Sequence, residues 1–168
     1  VAASPVRLAI TARSIRTAAV DLLARFRETV EDNALLPPDE PTVVAVSGGR
    51  DSVVLLECMR ELFGDKAADL IVVAHLNHSL RGTAAEDAQF VADLAHTHGY
   101  RLSSVTEDVR SLADELGTSI EDAARTARYN FFLRTAVDFG AKTIATGHHA
   151  DDQAETVLMR VLRGTGIK

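Results

Sequence analysis

Thr42-Val43-Val44-Ala45-Val46-Ser47-Gly48-Gly49-Arg50-Asp51-Ser52 is the stretch whose reading decides the fold. Its first five residues are β-branched or small and carry no charge, the pattern of a strand covered on both faces. Two glycines break that run, and an apolar helical pattern follows over 51–63 before Gly64. A strand, a glycine turn and a helix open a crossover unit, so a parallel sheet with helices on both sides is expected. Without a Cβ, Gly48 and Gly49 let the backbone bend sharply and aim successive N–H groups outward. The helix adds unpaired amides and the positive end of its dipole, and Ser47 and Ser52 add hydroxyls. Residues 47–52 therefore read as a cradle for phosphate oxygens. Asp51 either caps the helix or faces a divalent cation that also holds the phosphates. No Lys follows either glycine, which excludes the Gly-x-x-x-x-Gly-Lys-Ser/Thr loop, and the Gly-x-Gly-x-x-Gly fingerprint is absent.

Outward from this stretch the pattern alternates. Further strands are read at 70–74, 101–106 (weaker) and 142–146. Helices are read at 84–98, 111–116, 119–139 and 150–163, the last with Ala154, Val157, Leu158 and Val161 on one face. Gly64, Gly99, Gly117 and Gly140 stand where helices should stop. Ser119 with Asp122 three residues on resembles a capping box, with Asp a poorer partner than Glu. The expected fold class is α/β, a doubly wound parallel sheet. Upstream, 1–35 reads as an N-terminal helix with Ile15, Ala19, Leu22, Phe26 and Val30 on one face and an arginine-rich opposite face. Residues 36–41, Leu-Pro-Pro-Asp-Glu-Pro, form a linker, and 42–168 form the α/β domain that carries the loop. In such sheets ligands bind outside the carboxyl ends of the strands, where each motif falls.

Composition agrees. The 168 residues carry 18 Lys+Arg against 24 Asp+Glu, a net charge of −6, with 46% apolar and 25% charged residues. That is an ordinary globular balance, with no window long and apolar enough for a membrane span and no signal pattern. The acidic balance argues against gripping nucleic acid by bulk charge. Cys58, the single cysteine, excludes an internal disulfide or thiolate cage and reads as a buried, inert thiol. The chain begins at Val1 without an initiator methionine and ends at Lys168 after a glycine turn, so it reads as part of a longer protein.

Three further groups carry chemistry. Strand two leads into His75-Leu76-Asn77-His78-Ser79-Leu80-Arg81-Gly82, and strand four into Thr146-Gly147-His148-His149-Ala150-Asp151-Asp152. The histidines could hold zinc, but no Cys-x-x-Cys accompanies them, and hydrogen bonding is the better reading. Asp151 and Asp152 open a helix, where carboxylates are favoured without any function. Two carboxylates facing a phosphate loop are better explained by Mg²⁺. Glu121, Arg125 and Arg128 share one helical face, either as a solvated ion-pair face or as an anion contact.

The loop resembles the Ser-Gly-Gly-x-Asp-Ser signature of the PP-loop ATP pyrophosphatases. With 75–82, 121–129, 146–156 and the closing Leu162-Arg163-Gly164-Thr165-Gly166, the set resembles the bacterial tRNA(Ile)-lysidine synthetases in order and spacing. The resemblance implies that ATP places its β- and γ-phosphates on Ser47, Gly48, Gly49, Arg50, Asp51 and Ser52. It implies Mg²⁺ held by Asp51 and Asp152, with Asp152 ahead of Asp151. His148 and His149 would donate to phosphate or to a developing oxyanion. Arg128 first and Arg125 second would reach the α-phosphate or the lysine carboxylate, and Arg163 is a weaker contact. Asp51, Asp152, Arg128 and His148 are thus the expected catalytic residues. The implied substrates are the wobble cytidine of the isoleucine tRNA with CAU anticodon and free lysine, in the cytoplasm, with AMP and pyrophosphate released; a homodimer is allowed. Residues 1–168 alone are expected to bind ATP weakly and not to modify tRNA. The rivals are another PP-loop ligase or amidotransferase-type synthetase, for which no glutaminase domain is present, and a non-catalytic ATP-binding module, which would carry its glycines after the last strand.

Overall fold

A computed structural model of the chain describes residues 12–37, 39–77 and 84–147. The chain divides into two compact units, Val1–Leu36 and Pro37–Lys168. In the first, helix α1 spans Ala12–Asp32. Arg25 Nε donates to Asp21 Oδ1 at 3.1 Å, one turn back on an exposed face. The helix closes with Leu35 N–H on the Val30 carbonyl (3.0 Å) and Ala34 N–H on the Glu31 carbonyl (3.1 Å). This is a paired C-terminal cap, in which Ala34 holds the positive φ (47°) that glycine usually takes.

The second unit runs β1 (Thr42–Ala45), α2 (Arg50–Phe63), a 3₁₀ turn (Gly64–Lys66), α3 (Ala67–Leu70) and β2 (Ile71–Asn77). It continues through α4 (Ala84–His98), β3 (Arg101–Thr106), α5 (Val109–Leu116), α6 (Ile120–Asp138) and β4 (Thr143–Thr146). All pairings are parallel, in the order β3-β2-β1-β4, with Val43 opposite Val72 on one side and Ile144 on the other. From β1 the chain adds strands outward to β3, then crosses back to place β4 on the other flank. The switch point therefore lies between β1 and β4, and the crevice opens at their carboxyl ends.

Both faces are dry. Val43, Ala45, Val72, Ala74 and Leu76 pack with Ala127, Phe131, Phe132 and Ala136 of α6. Val44, Val46, Ile71 and Val73 alternate to the other face and are 0–1% exposed. Leu56 and Met59 of α2, with Val91 and Ala95 of α4, are buried there, and these helices touch β1 and β2 respectively. Burying each large aliphatic chain contributes roughly 1.5–3 kcal/mol. The two central strands are thus the rigid base from which the glycine loop projects.

Several elements differ from the sequence reading in extent. Strand β2 reaches Asn77 rather than stopping at Ala74, because β3 pairs with His75, Leu76 and Asn77 through Ser104, Val105 and Thr106. Helix α5 starts at Val109, not Ser111. Asp108 caps it, accepting from the amides of Arg110 and Ser111 at 3.1 and 3.2 Å and from the Ser111 hydroxyl at 2.9 Å. These bonds, led by the Ser111 amide, hold the Asp108 carboxyl below its usual pKa. Ser119 caps α6 as expected, accepting from Asp122 N–H at 3.1 Å. Asp122 answers through the Ser119 hydroxyl (2.7 Å), a Glu being needed to reach back to the backbone. The expected linker is tied down at the surface: Asp39 pairs with Lys66 and Glu40 with Lys142. The helix read at 150–163 lies outside the described residues. Among the described residues no helix is long and apolar enough to cross a membrane.

Candidate functional site

The loop at the mouth of β1 is braced from inside. Val46 N–H bonds the Ala74 carbonyl at 2.9 Å, extending the sheet one residue beyond β1. His75, 3% exposed, places Nδ1 2.8 Å from the Val46 carbonyl. A carbonyl only accepts, so Nδ1 carries a proton; Nε2 is buried without a partner among the described residues. Ser52 Oγ donates to the Gly49 carbonyl (2.8 Å), which uses its one proton. It must then accept both from Ser47 N–H (3.1 Å) and from Ser47 Oγ (3.2 Å). Gly49 N–H donates to Ser47 Oγ at 3.3 Å. The two hydroxyls expected to meet phosphate are thus engaged in holding the loop's shape, and the outward donors are amides.

Those amides come from the start of α2. Its N-cap is Gly49, with no side-chain cap, and the first intrahelical bond is Val53 N–H to the Gly49 carbonyl at 3.2 Å. Every amide of α2 ahead of Val53 lacks an intrahelical acceptor and sits at the positive end of the helix. Gly48 has φ +85°, a conformation that side chains disfavour. A Cβ there would also stand 3.3 Å from Asp87 Cβ. Gly147, just past β4, is required for another reason. A Cβ on it would lie 3.1 Å from Ser52 Cα and N and 3.2 Å from Asp51 C, all backbone of α2.

A cavity of about 810 Å³ opens over the loop. One wall is residues 47–52 without Arg50, which is the exposed first residue of α2. Thr146 and Gly147 close one side, and Asp87 of α4 stands on the other. The facing wall is α6, through Ile120, Glu121, Ala124 and Arg128. Ile120 and Ala124 line this cavity, while Ala123 and Ala127 are buried. Its size and mixture of apolar surface with a few charged groups suit a nucleotide-sized ligand.

The two arginines read as anion contacts part company. Arg128 is half-buried in the cavity wall. Burial lowers its guanidinium pKa, Arg125's like charge adds to this and Tyr129 opposes it. A guanidinium stays charged under such a shift, so Arg128 is a poorly hydrated cation facing the crevice. Arg125 instead stacks over the Tyr129 ring at 5.3 Å and does not line the cavity.

Of the remaining expected residues, Ser47, Gly48, Gly49, Asp51 and Ser52 come together with Arg128. His78, His148, His149, Asp151, Asp152 and Arg163 lie outside the described residues. Among the described residues no group of three or more His, Cys, Asp or Glu could hold a metal. Sequence reading missed Asp87 and the close approach of Gly147. Nothing in the spacing links Asp87 to the loop, while Gly147 directly after a strand was the available sign of a close contact.

The chain belongs to the PP-loop domain family, whose model matches residues 19–168. It is 47% identical over 146 residues to a tRNA(Ile)-lysidine synthase of Geobacter sulfurreducens, covering 86% of this chain and 31% of that one. A tRNA(Ile)-lysidine synthase of Thermus thermophilus is 43% identical over 130 residues, covering 77% of this chain and 25% of that one. The chain thus spans about a quarter to a third of the length of these curated relatives. Among solved structures, the U34-tRNA thiolase NcsA of Methanococcus maripaludis, with its 4Fe-4S cluster, superposes with a TM-score of 0.67. That match is 18% identical and covers 87% of this chain and 50% of that one. The NH3-dependent NAD synthetase of Campylobacter jejuni matches with a TM-score of 0.50 at 14% identity, over 82% and 57% of the two chains. These two likenesses concern the fold.

Proposed function

We propose that this chain is the adenylating core of a ligase that forms lysidine on the isoleucine tRNA with CAU anticodon, acting in the cytoplasm. The amide nest at the β1–β4 switch point carries the reading, and the identity to lysidine synthases supports the choice of substrate. ATP lays its β- and γ-phosphates against the amides at the start of α2. The C2 carbonyl oxygen of the wobble cytidine bonds to the α-phosphorus, and pyrophosphate leaves. The ε-amine of free lysine then bonds to C2, the C2–O bond breaks, AMP departs with that oxygen, and the amine loses a proton. Activation is the point of the first step, since an amide-like oxygen leaves poorly and a phosphate ester leaves well.

The residues of this chain position and neutralise. Gly48 lets the backbone turn sharply into α2, and the Ser47–Ser52 brace holds the turn that presents that helix's first amides. Arg128 offers a planar cation from the α6 wall to the α-phosphate or to the lysine carboxylate. The carboxylates of Asp51 and Asp87 line the same cavity as the nest, a donor set that fits Mg²⁺, which binds through a few carboxylates and substrate phosphates. Asp51 and, by resemblance, Asp152 would hold it, and it would neutralise phosphate charge. His148 would meet the developing charge and His149 the phosphates. Cys58 favours this reading over sulfur transfer: it is 5% exposed within α2, and burial, with Glu57 adding, raises its thiol pKa.

The test is AMP formation by the full-length protein given ATP, lysine and unmodified isoleucine tRNA. Product should require all three, and Asp51→Ala should abolish it while leaving the circular dichroism spectrum unchanged. AMP release without tRNA, or normal turnover in Asp51→Ala, would reject the reading.

A further inference from the structure

Asp87 stands where a phosphate cradle has least use for a negative charge. It belongs to the first turn of α4, is half-buried, and lines the cavity with the loop. Its side chain lies against Gly48: a Cβ built there would be 3.3 Å from Asp87 Cβ, 3.4 Å from Oδ1 and 3.5 Å from Cγ. Asn77 Nδ2 donates to the Ala84 carbonyl at 3.0 Å, tying the start of α4 to the end of β2. The carboxylate is thus delivered by backbone anchored to the central sheet, on a side chain too short to swing far. No ion pair among the described residues engages it.

The balance of charge around it is unusual for an anion site. Among the described lining residues, Asp51, Asp87 and Glu121 are acidic, and Arg128 is the one Arg or Lys. A bare triphosphate entering this cavity would meet the amides at the start of α2 and, beside them, a carboxylate that no ion pair among the described residues engages. A divalent cation carried on the triphosphate reverses the sign of that encounter.

Resting on the nucleotide reading above, we propose that Asp87 makes the cradle selective for the cation-complexed form of the triphosphate. It repels the bare polyphosphate from the α4 side of Gly48, and it presents a carboxylate toward a cation that travels with the nucleotide. The role is one of specificity between two forms of one ligand, and it is read in binding without turnover.

The experiment is calorimetric titration of the full chain with ATP, once in excess EDTA and once in excess Mg²⁺. Asp87→Asn should bind ATP in EDTA about tenfold tighter than wild type, the order expected for removing one charge a few ångström from phosphate at a partly screened site. In Mg²⁺ that gain should vanish, so the cation's advantage shrinks by at least the same factor. Glu86→Gln removes an equal charge from the same helical turn, but Glu86 is exposed and does not line the cavity. It should match wild type in both buffers. Should Asp87→Asn fold poorly, Asp87→Ser provides the same comparison. Equal affinities of wild type and Asp87→Asn in EDTA, or an equal gain in Glu86→Gln, would overturn the proposal while leaving the nucleotide reading intact. Absence of ATP binding by wild type even with Mg²⁺ would overturn both.

Discussion

Gly147→Ala is a one-methyl perturbation whose consequence follows from three distances. The added Cβ would stand 3.1 Å from Ser52 Cα, 3.1 Å from Ser52 N and 3.2 Å from Asp51 C. Non-bonded carbons are comfortable at about 3.5–4.0 Å, so the end of β4 and the start of α2 must separate by several tenths of an ångström. No rotamer relieves this, because all three opposing atoms are backbone. Overpacking of this kind costs about 1–3 kcal/mol. For a domain of this size, each kcal/mol corresponds to roughly 2–4 °C, so Tm should fall by about 2–12 °C. Function should suffer more than stability. The displaced atoms carry the outward amides, and a misplacement of order 1 Å can cost on the order of a hundredfold in rate. The measurements are urea denaturation followed by circular dichroism, with tRNA-dependent AMP formation on the same preparation. Gly140→Ala is the comparison: it has φ +66° but open space around it, so it should lose about 1–2 kcal/mol from backbone strain and keep its turnover. A Gly147→Ala variant with the wild-type denaturation midpoint and wild-type turnover would refute the argument that β4 and α2 meet as closely as described.

Two other outcomes are expected. Arg128→Ala should lower kcat/KM for AMP formation by about a hundredfold, the scale of losing a charge-assisted contact to phosphate, while Arg125→Ala stays within about threefold; equal losses would mean that the two arginines are not divided between cavity and surface. The cap at Asp108 should show in acid. Its folded-state pKa lies below the ordinary value, so its contribution is complete above about pH 4 and is lost as pH falls through the lower folded value. Asp108→Ala should therefore be less stable than wild type at pH 7, with the gap in urea midpoints narrowing as the pH falls below the ordinary carboxylate range; a gap constant with pH would refute the assignment.

Much of the architecture was legible because it depends on neighbours in sequence. The strand at 42–46, the glycine turn and the helix after it were readable from local chemistry: a run without charge, two residues without Cβ, then apolar spacing of three and four. Gly99, Gly117 and Gly140 close their helices by the paired bonds expected of C-terminal glycines, as in Tyr100 N–H to the Ala95 carbonyl at 2.9 Å. Element ends were less legible. The extra length of β2 is conferred by pairing with β3, and Asp108 takes the start of α5 away from Ser111 by supplying a better-placed carboxylate.

The candidate site divides in the same way. Six consecutive residues announced the sharp turn and the amides at the start of α2, since bending and amide presentation are properties of the local backbone. The serine hydroxyls, read as phosphate donors, are engaged within the loop, a matter of where Ser52 falls once α2 has formed. Arg125 and Arg128 illustrate the limit of periodicity. At about 100° per residue, Arg128 lies about 20° from Glu121 around α6 and Arg125 about 40° on the other side. Both therefore share a face on paper, and only the rotation of α6 against the sheet puts one guanidinium in the crevice and the other over Tyr129.

What the chain's own order of residues settled is the class of fold and the place of the glycine loop, because strand burial, turning at glycine and helix initiation act over a few residues. What folding alone decided is the company that loop keeps: Asp87 against Gly48, Gly147 against the first turn of α2, and His75 beneath the Val46 carbonyl. Those partners come from separate strands and helices. Their meeting is set by the order of four parallel strands and by close packing across the crevice, which no spacing within the sequence encodes.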